Sequence, residues 1–156
     1  MMINDINIEE IRSDPDNENW INLSCNFNLS ENFIREFHDK VIWDYISCWQ
    51  TLSENLIRDF QDKVDWRDIS NNQKLSEDFI REFQDKLDWY WICASQVLSE
   101  AFIREVKDKI SWECISCYQK LSKEFIIEFS DRIYFLLLIQ NYNISQELKD
   151  YCRMFI

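Results

Sequence analysis

The sequence predicts an all-α fold, an α-solenoid of short antiparallel helix pairs with 23 residues per repeat. Three observations predict it. Leu-Ser recurs at Leu29-Ser30, Leu52-Ser53, Leu75-Ser76, Leu98-Ser99 and Leu121-Ser122, then as Ile144-Ser145, always at this interval. Trp20, Trp43, Trp66, Trp89 and Trp112 keep the same period, with Phe135 in the sixth place. The 156 residues include no Gly and one Pro, so turns that depend on a positive φ are not available and helices are favoured.

Residues 1–28 read as a degraded N-terminal capping repeat. Ile11, Arg12 and Trp20 keep register, while Pro15 and the acids around it are expected to break the first helix early. Residues 29–143 form five helix-pair repeats. The fullest copy is LSEDFIREFQDKLDWYWICASQV, starting at Leu75. Ser76 is a natural N-cap, with Glu77 and Asp78 following where the helix dipole favours acids. Leu75 and Ile80 staple the start of that helix, and Phe79, Ile80 and Phe83 share one face. Asp85-Lys86 marks the corner, and Asp88, or Ser111 in the next copy, caps the second helix. Leu87 and Ile92 staple it, and Trp89, Ile92 and Gln96 line its inner face. Residues 144–156 supply a C-terminal capping helix, and the whole reads as one continuous domain.

One repeat cannot bury its own apolar face. Stacked repeats can, at about 1.5–3 kcal/mol per large side chain, so packing between neighbours outweighs any term inside a single unit. Outside the seam, Arg35–Asp39, Arg58–Asp62, Arg81–Asp85 and Arg104–Asp108 are spaced for i,i+4 ion pairs. Glu36–Lys40, Asp59–Lys63, Glu82–Lys86 and Glu105–Lys109 have the same spacing. Gln50, Gln73, Gln96 and Gln119 recur on the inner side and are expected to form a ladder, each bonding backbone or its neighbour in the next unit.

LSEDFIREF followed by DKxDWxxIxxxQ resembles short tandem repeats found in many copies in proteins of giant DNA viruses of amoebae, the mimivirus-like group. The resemblance covers Leu29 to Asn143. It implies a helical-repeat scaffold that engages viral or host proteins, and it brings no catalytic residues to carry over.

Charge and composition narrow the function. Lys and Arg number 17 against 29 Asp and Glu, a net charge of −12, which repels nucleic acid and anionic lipid. The longest apolar run, Ile133 to Ile139, is too short to span a bilayer, and Met1 to Glu10 carry no basic leader. An intracellular location is expected, the host cytoplasm if the chain is viral, with reduced thiols. Without Gly, no phosphate-cradling or dinucleotide loop can be built, and no cofactor is expected.

Cys114 and Cys117 have CxxC spacing, with Cys93 one unit earlier. However, Cys25, Cys48 and Cys117 share a register with Asn71 and Ala94, which reads as a slot for a small side chain. No metal site is assigned. His38 is the single His and shares its register with Gln61, Gln84, Lys107 and Ser130, a solvent-facing position. Acids that recur beside a basic residue read as a solvated face, so the chain is expected not to be an enzyme.

Two leads remain. Positions of the second helix away from Trp and Ile vary between copies: Tyr45 and Trp49, Asp68 and Asn72, Trp91 and Ser95, Cys114 and Tyr118. Trp and Tyr are the residue types that anchor interfaces, so Tyr45, Trp49, Asp68, Asn72, Trp91 and Tyr118 are the candidate partner-binding set. The other lead is the apolar C-terminal end, where Ile127, Leu136, Leu137, Met154 and Phe155 are candidates for a homo-oligomer contact. The favoured function is a non-enzymatic scaffold for protein–protein interaction. The alternative is a structural or self-assembling, virion-associated protein.

Overall fold

The computed structural model describes residues 8–26 and 28–156. Ile6 and Phe27, both counted in the first repeat, lie outside them, as do residues 1–7 of the leader reading. All regular elements among the described residues are helical. The chain divides into two compact units, Met1–Gln73 and Lys74–Ile156. The first holds α1 (Ile8–Ser13), α2 (Trp20–Asn26), α3 (Glu31–Glu36), α4 (Trp43–Trp49), α5 (Glu54–Asp59) and α6 (Trp66–Asn72). The second holds α7 (Glu77–Glu82), α8 (Trp89–Ser95), α9 (Glu100–Glu105), α10 (Trp112–Tyr118), α11 (Lys123–Glu128), α12 (Phe135–Leu138) and α13 (Gln146–Cys152). Within each unit the second helices pack on one another in order, α2 on α4 on α6 and α8 on α10 on α12. This sequential packing of recurring helix pairs is the arrangement of an α-solenoid.

Helices of six and seven residues do not persist alone, because nucleation fixes several residues for one hydrogen bond. Their ends explain how they hold. Ser30, Ser53, Ser76, Ser99, Ser122 and Ser145 each accept the backbone N–H three residues on, as the caps predict. The next capping element comes from the neighbouring repeat. Glu31 accepts the backbone N–H of Ser53 at 2.7 Å and its hydroxyl at 3.0 Å. Glu77 does the same for the Ser99 N–H, and Glu100 for the Ser122 N–H and hydroxyl. In a capping box the acid sits in the same helix as the Ser. Here it sits one repeat earlier, so the cap also ties two repeats together.

Helix C-termini usually close on a left-handed Gly. This chain has no Gly, and no described residue has a positive φ. The second helices instead leave through extended residues, Gln50, Gln73, Gln96 and Gln119, with ψ of 149–152°. The orphan carbonyls are met by the Gln of the following repeat. Gln73 Nε2 donates to Ser47 O at 3.0 Å and Gln50 O at 2.7 Å, while its Oε1 accepts the Leu52 N–H at 3.0 Å. Gln119 repeats the pattern on Cys93 O, Gln96 O and the Leu98 N–H. The expected Gln ladder is therefore present, and its rungs end on backbone. In the last repeat Tyr142 stands in the Gln register, and Asn141 takes over the task, donating to Ser116 O and Gln119 O.

A buried serine register does similar work, and the sequence reading does not include it. Ser24, Ser47 and Ser116 are fully buried, and each accepts a backbone N–H at the start of the next second helix: Ile42, Asp65 and Tyr134, at 2.9–3.0 Å. The apolar seam lies between these polar ties. Phe79, Phe102 and Phe125 are completely buried. Trp43 packs on Phe60 of the following repeat at 4.8 Å, and Trp112 on Phe129 at 4.9 Å. The Trp rings are half-buried rather than central, and each indole N–H donates to the carbonyl five residues back, Trp43 to His38 and Trp112 to Lys107 among them.

Two expectations need correction. Pro15 does not shorten the first helix. α1 covers the same positions of the repeat as α3, and Pro15 falls in the turn that every copy makes, where its carbonyl accepts the Trp20 indole N–H at 2.9 Å. The ion pairs also differ. The first helices end before the acid four residues after each Arg, so Asp39, Asp85 and Asp108 sit in turns. Arg12 pairs with Glu36, Arg35 with Asp59, Arg81 with Glu105 and Arg104 with Glu128, each time one repeat and one residue further on. Lys40 with Asp16, Lys63 with Asp39 and Lys109 with Asp85 have the same separation in the opposite direction. Among the i,i+4 pairs in the described residues are Arg58–Glu54, Arg81–Glu77 and Arg104–Glu100.

Candidate functional site

The second helices α4, α6 and α10 spend their inner positions on Trp, Ile, Ser and Gln, and α8 differs only in Cys93 for Ser; the stack consumes all of these. What remains is the outer side. In the first unit Tyr45 and Trp49 lie one turn apart on α4, and Trp49 is 66% exposed although Trp is rarely left in water. Asp68 and Asn72 hold the matching places on α6, and Asn72 Nδ2 reaches Asp68 Oδ1 at 3.4 Å and Cys48 Sγ at 3.7 Å. The Asp68 carboxyl is pushed above the usual range by partial burial, then by the nearby Asp65 and Asp44. Burial, then Asp68 and Asp65, raises the Cys48 thiol. Asn72 thus bridges Asp68 on its own helix and Cys48 on α4, the residue before Trp49.

In the second unit the predicted pair is Trp91 and Tyr118. Tyr118 is exposed, while Trp91 is only half-exposed, with Tyr90 edge-on to it at 5.2 Å. Tyr90 is the more exposed of the two and falls outside the predicted set, since its register holds Asp44, Arg67 and Glu113 and reads as an ordinary solvated position. The Tyr118 hydroxyl is held above its ordinary pKa by Tyr90 first, then Cys117. Cys114, also among the variable positions, is buried and drops out of that face; Ser95 is exposed.

The C-terminal candidates divide. Leu136, Leu137 and Phe155 line one cleft of about 460 Å³ together with Tyr134, Phe135 and Ile156. Phe155 stacks on Phe135 at 5.0 Å, so the terminal turn folds over part of the apolar end and leaves the rest open. Met154 is exposed beside Phe155 and outside the lining. Ile127 is exposed on α11, away from the cleft. It stands where other repeats carry the Arg that reaches into the next repeat. The residue at the corresponding distance is Tyr151, so an apolar pair replaces an ionic one in sequence.

All six cysteines are free thiols. Burial pushes Cys93 up to about 11 and raises Cys114 and Cys152, which keeps these sulfurs protonated. No group of three or more His, Cys, Asp or Glu among the described residues is arranged to hold a metal. His38 faces solvent in part, with its side chain 40% exposed. It is half-buried against the Phe60 ring at 5.5 Å, with Asp39 Oδ1 at 2.7 Å and Lys63 Nζ at 3.0 Å from Nδ1. No helix among the described residues is long and apolar enough to cross a membrane. No protein-family description, curated protein or solved structure matches the chain.

Proposed function

We propose that this chain is a non-enzymatic protein-interaction scaffold that engages its partner through the variable outer positions of its second helices. The observation that carries this reading is the exposure of Trp49, with Tyr45 beside it, at a place the repeat leaves unconstrained. Inner residues are accounted for by caps, ladders and the seam, so an aromatic held in water has no part in folding. Aromatic anchors of this kind contribute most of the energy at protein interfaces. Burial first, then Asp65 and Asp44, raises the pKa of Asp68 on the next second helix, and the acids gathered there favour a partner with basic groups around an apolar contact. In keeping with the repeat's resemblance to those of giant DNA viruses of amoebae, the partner is a viral or host protein met inside the cell.

Affinity capture from the source cells with wild-type chain and with a Trp49→Ala/Tyr118→Ala variant tests the proposal. The variant loses the captured protein while its circular dichroism and melting temperature stay unchanged. Equal capture by both chains would remove the outer face from consideration.

A further inference from the structure

Beyond that partner-binding face, we infer that the C-terminal cleft is a contact between two copies of this chain, built on Leu136, Phe155 and Ile156. Leu136 corresponds to Asp44, Arg67, Tyr90 and Glu113, and all four are exposed. The position faces water in the interior repeats, where a further repeat is already stacked. Stacking another repeat beyond α12 would therefore not cover it, and Leu136 is not core left open at the end of an array. The side chain is apolar at an outward place, which a solvated surface does not require.

The surroundings share this character. The cleft is lined by Tyr134, Phe135, Leu136, Leu137, Phe155 and Ile156, with no charged side chain in a sequence that is 29% charged. Tyr134 is 48% exposed, Leu136 61%, Met154 79%, Phe155 53% and Ile156 62%. Taking large side chains at about 200 Å² each, these leave roughly 600 Å² of mainly apolar surface open, the upper end of what a monomer carries.

A second copy fits this patch by area and by charge. Two such patches facing one another remove about 1,200 Å² from water, the lower edge of a specific interface, so the dimer is weak and forms at high concentration. Each chain carries −12, so copies repel over most of their surface, and a face without charged side chains is where that repulsion is least. A two-fold pairing sets Leu136 and Ile156 against the same apolar residues of the second copy, the self-complementarity that an isologous contact needs.

Sedimentation equilibrium from micromolar to near-millimolar protein tests the inference with the full chain. The wild-type mass rises with concentration from 19.2 kDa towards twice that value. Leu136→Asp and Ile156→Asp, both at exposed positions, each hold the mass at that of the monomer with unchanged circular dichroism. Trp49→Ala leaves the association intact, so this contact and the partner-binding face fail or stand separately. A wild-type chain that stays monomeric throughout, including one that binds an amphipathic helix of another protein instead, overturns the inference. So does a dimer that both aspartates leave unaffected.

Discussion

Replacing Gln73 by Leu isolates the polar ladder from the apolar seam. The side chain is 4% exposed, donates to the carbonyls of Ser47 and Gln50 in the preceding repeat and accepts the Leu52 N–H at the start of its own. Leucine keeps most of the buried volume and removes all three. At a net ~0.5–1.5 kcal/mol per bond, and with a buried N–H left unmet at ~1–3 kcal/mol, the loss is about 2–5 kcal/mol once non-additivity is allowed for. For a chain of this length that is a fall in Tm of about 5–15 °C. Differential scanning calorimetry reads it directly. Gln73→Glu adds a second reading: it keeps an acceptor for Leu52 but turns a carboxylate on two carbonyls. It should melt lower than wild type at neutral pH and recover part of the difference as pH falls towards ~4.3, because burial against two carbonyls raises the folded pKa above that ordinary value and a protonated Glu can again donate. A Gln73→Leu variant that melts at the wild-type temperature would show that the ladder contributes nothing and that burial alone holds the repeats.

Ser47→Ala should cost about 1–3 kcal/mol, because it strands the Asp65 N–H at the start of α6, and urea unfolding measures it. The inter-repeat pairs give a pH signature. Glu36, Glu105 and Glu128 titrate below the ordinary range, chiefly through hydrogen bonds from Arg12, Arg81 and Arg104, and Asp39 through Lys63. A lowered folded pKa stabilises the fold above the unfolded value and loses that contribution as pH falls through the folded one, so acid unfolding should begin below pH ~4 and blunt in high salt. Asp68 has the opposite sign: its raised pKa means the charged form is disfavoured in the fold, so Asp68→Asn should melt slightly higher at neutral pH, with the gain fading in acid. Ellman titration of the native chain should find Cys93, Cys114 and Cys152 slow, and all six thiols should react once it is unfolded.

The repeat could be read in the sequence because its main devices recur at fixed phase. Ser caps, Phe and Ile faces and the Gln register all return once per repeat, and a polar residue fixed at a core phase has to find a partner. The same logic applies to Ser24, Ser47, Ser70 and Ser116, which also recur in step. Ser is small enough to pass as a spacer, and only burial shows that each hydroxyl must be bonded. Charge pairing departs from the spacing for a geometric reason. Four residues apart means adjacent only while the helix continues, and these helices stop after six, so Arg81 finds Glu105 in the next repeat instead of Asp85 in the turn. The role of Asn141 is hidden in the sequence, since α12 is a single turn and brings a shorter amide one residue early to the carbonyls that Gln would meet. On the outer face the identity of Trp49 and Tyr118 was legible, while the half-burial of Trp91 and the burial of Cys114 follow from neighbours that only the fold supplies.

Site-specific photocrosslinking tests most directly the division between residues that fold the chain and residues that serve it. A photoreactive residue is placed at Trp49, at Tyr118 or at Asp85, the last an exposed position that recurs as Asp from Asp16 to Asp131. Irradiation in the source cells should give an adduct from position 49, from position 118 or from each, and none from position 85. Adducts from all three positions alike, or from position 85 alone, would contradict the claim that partner recognition resides in the variable outer face.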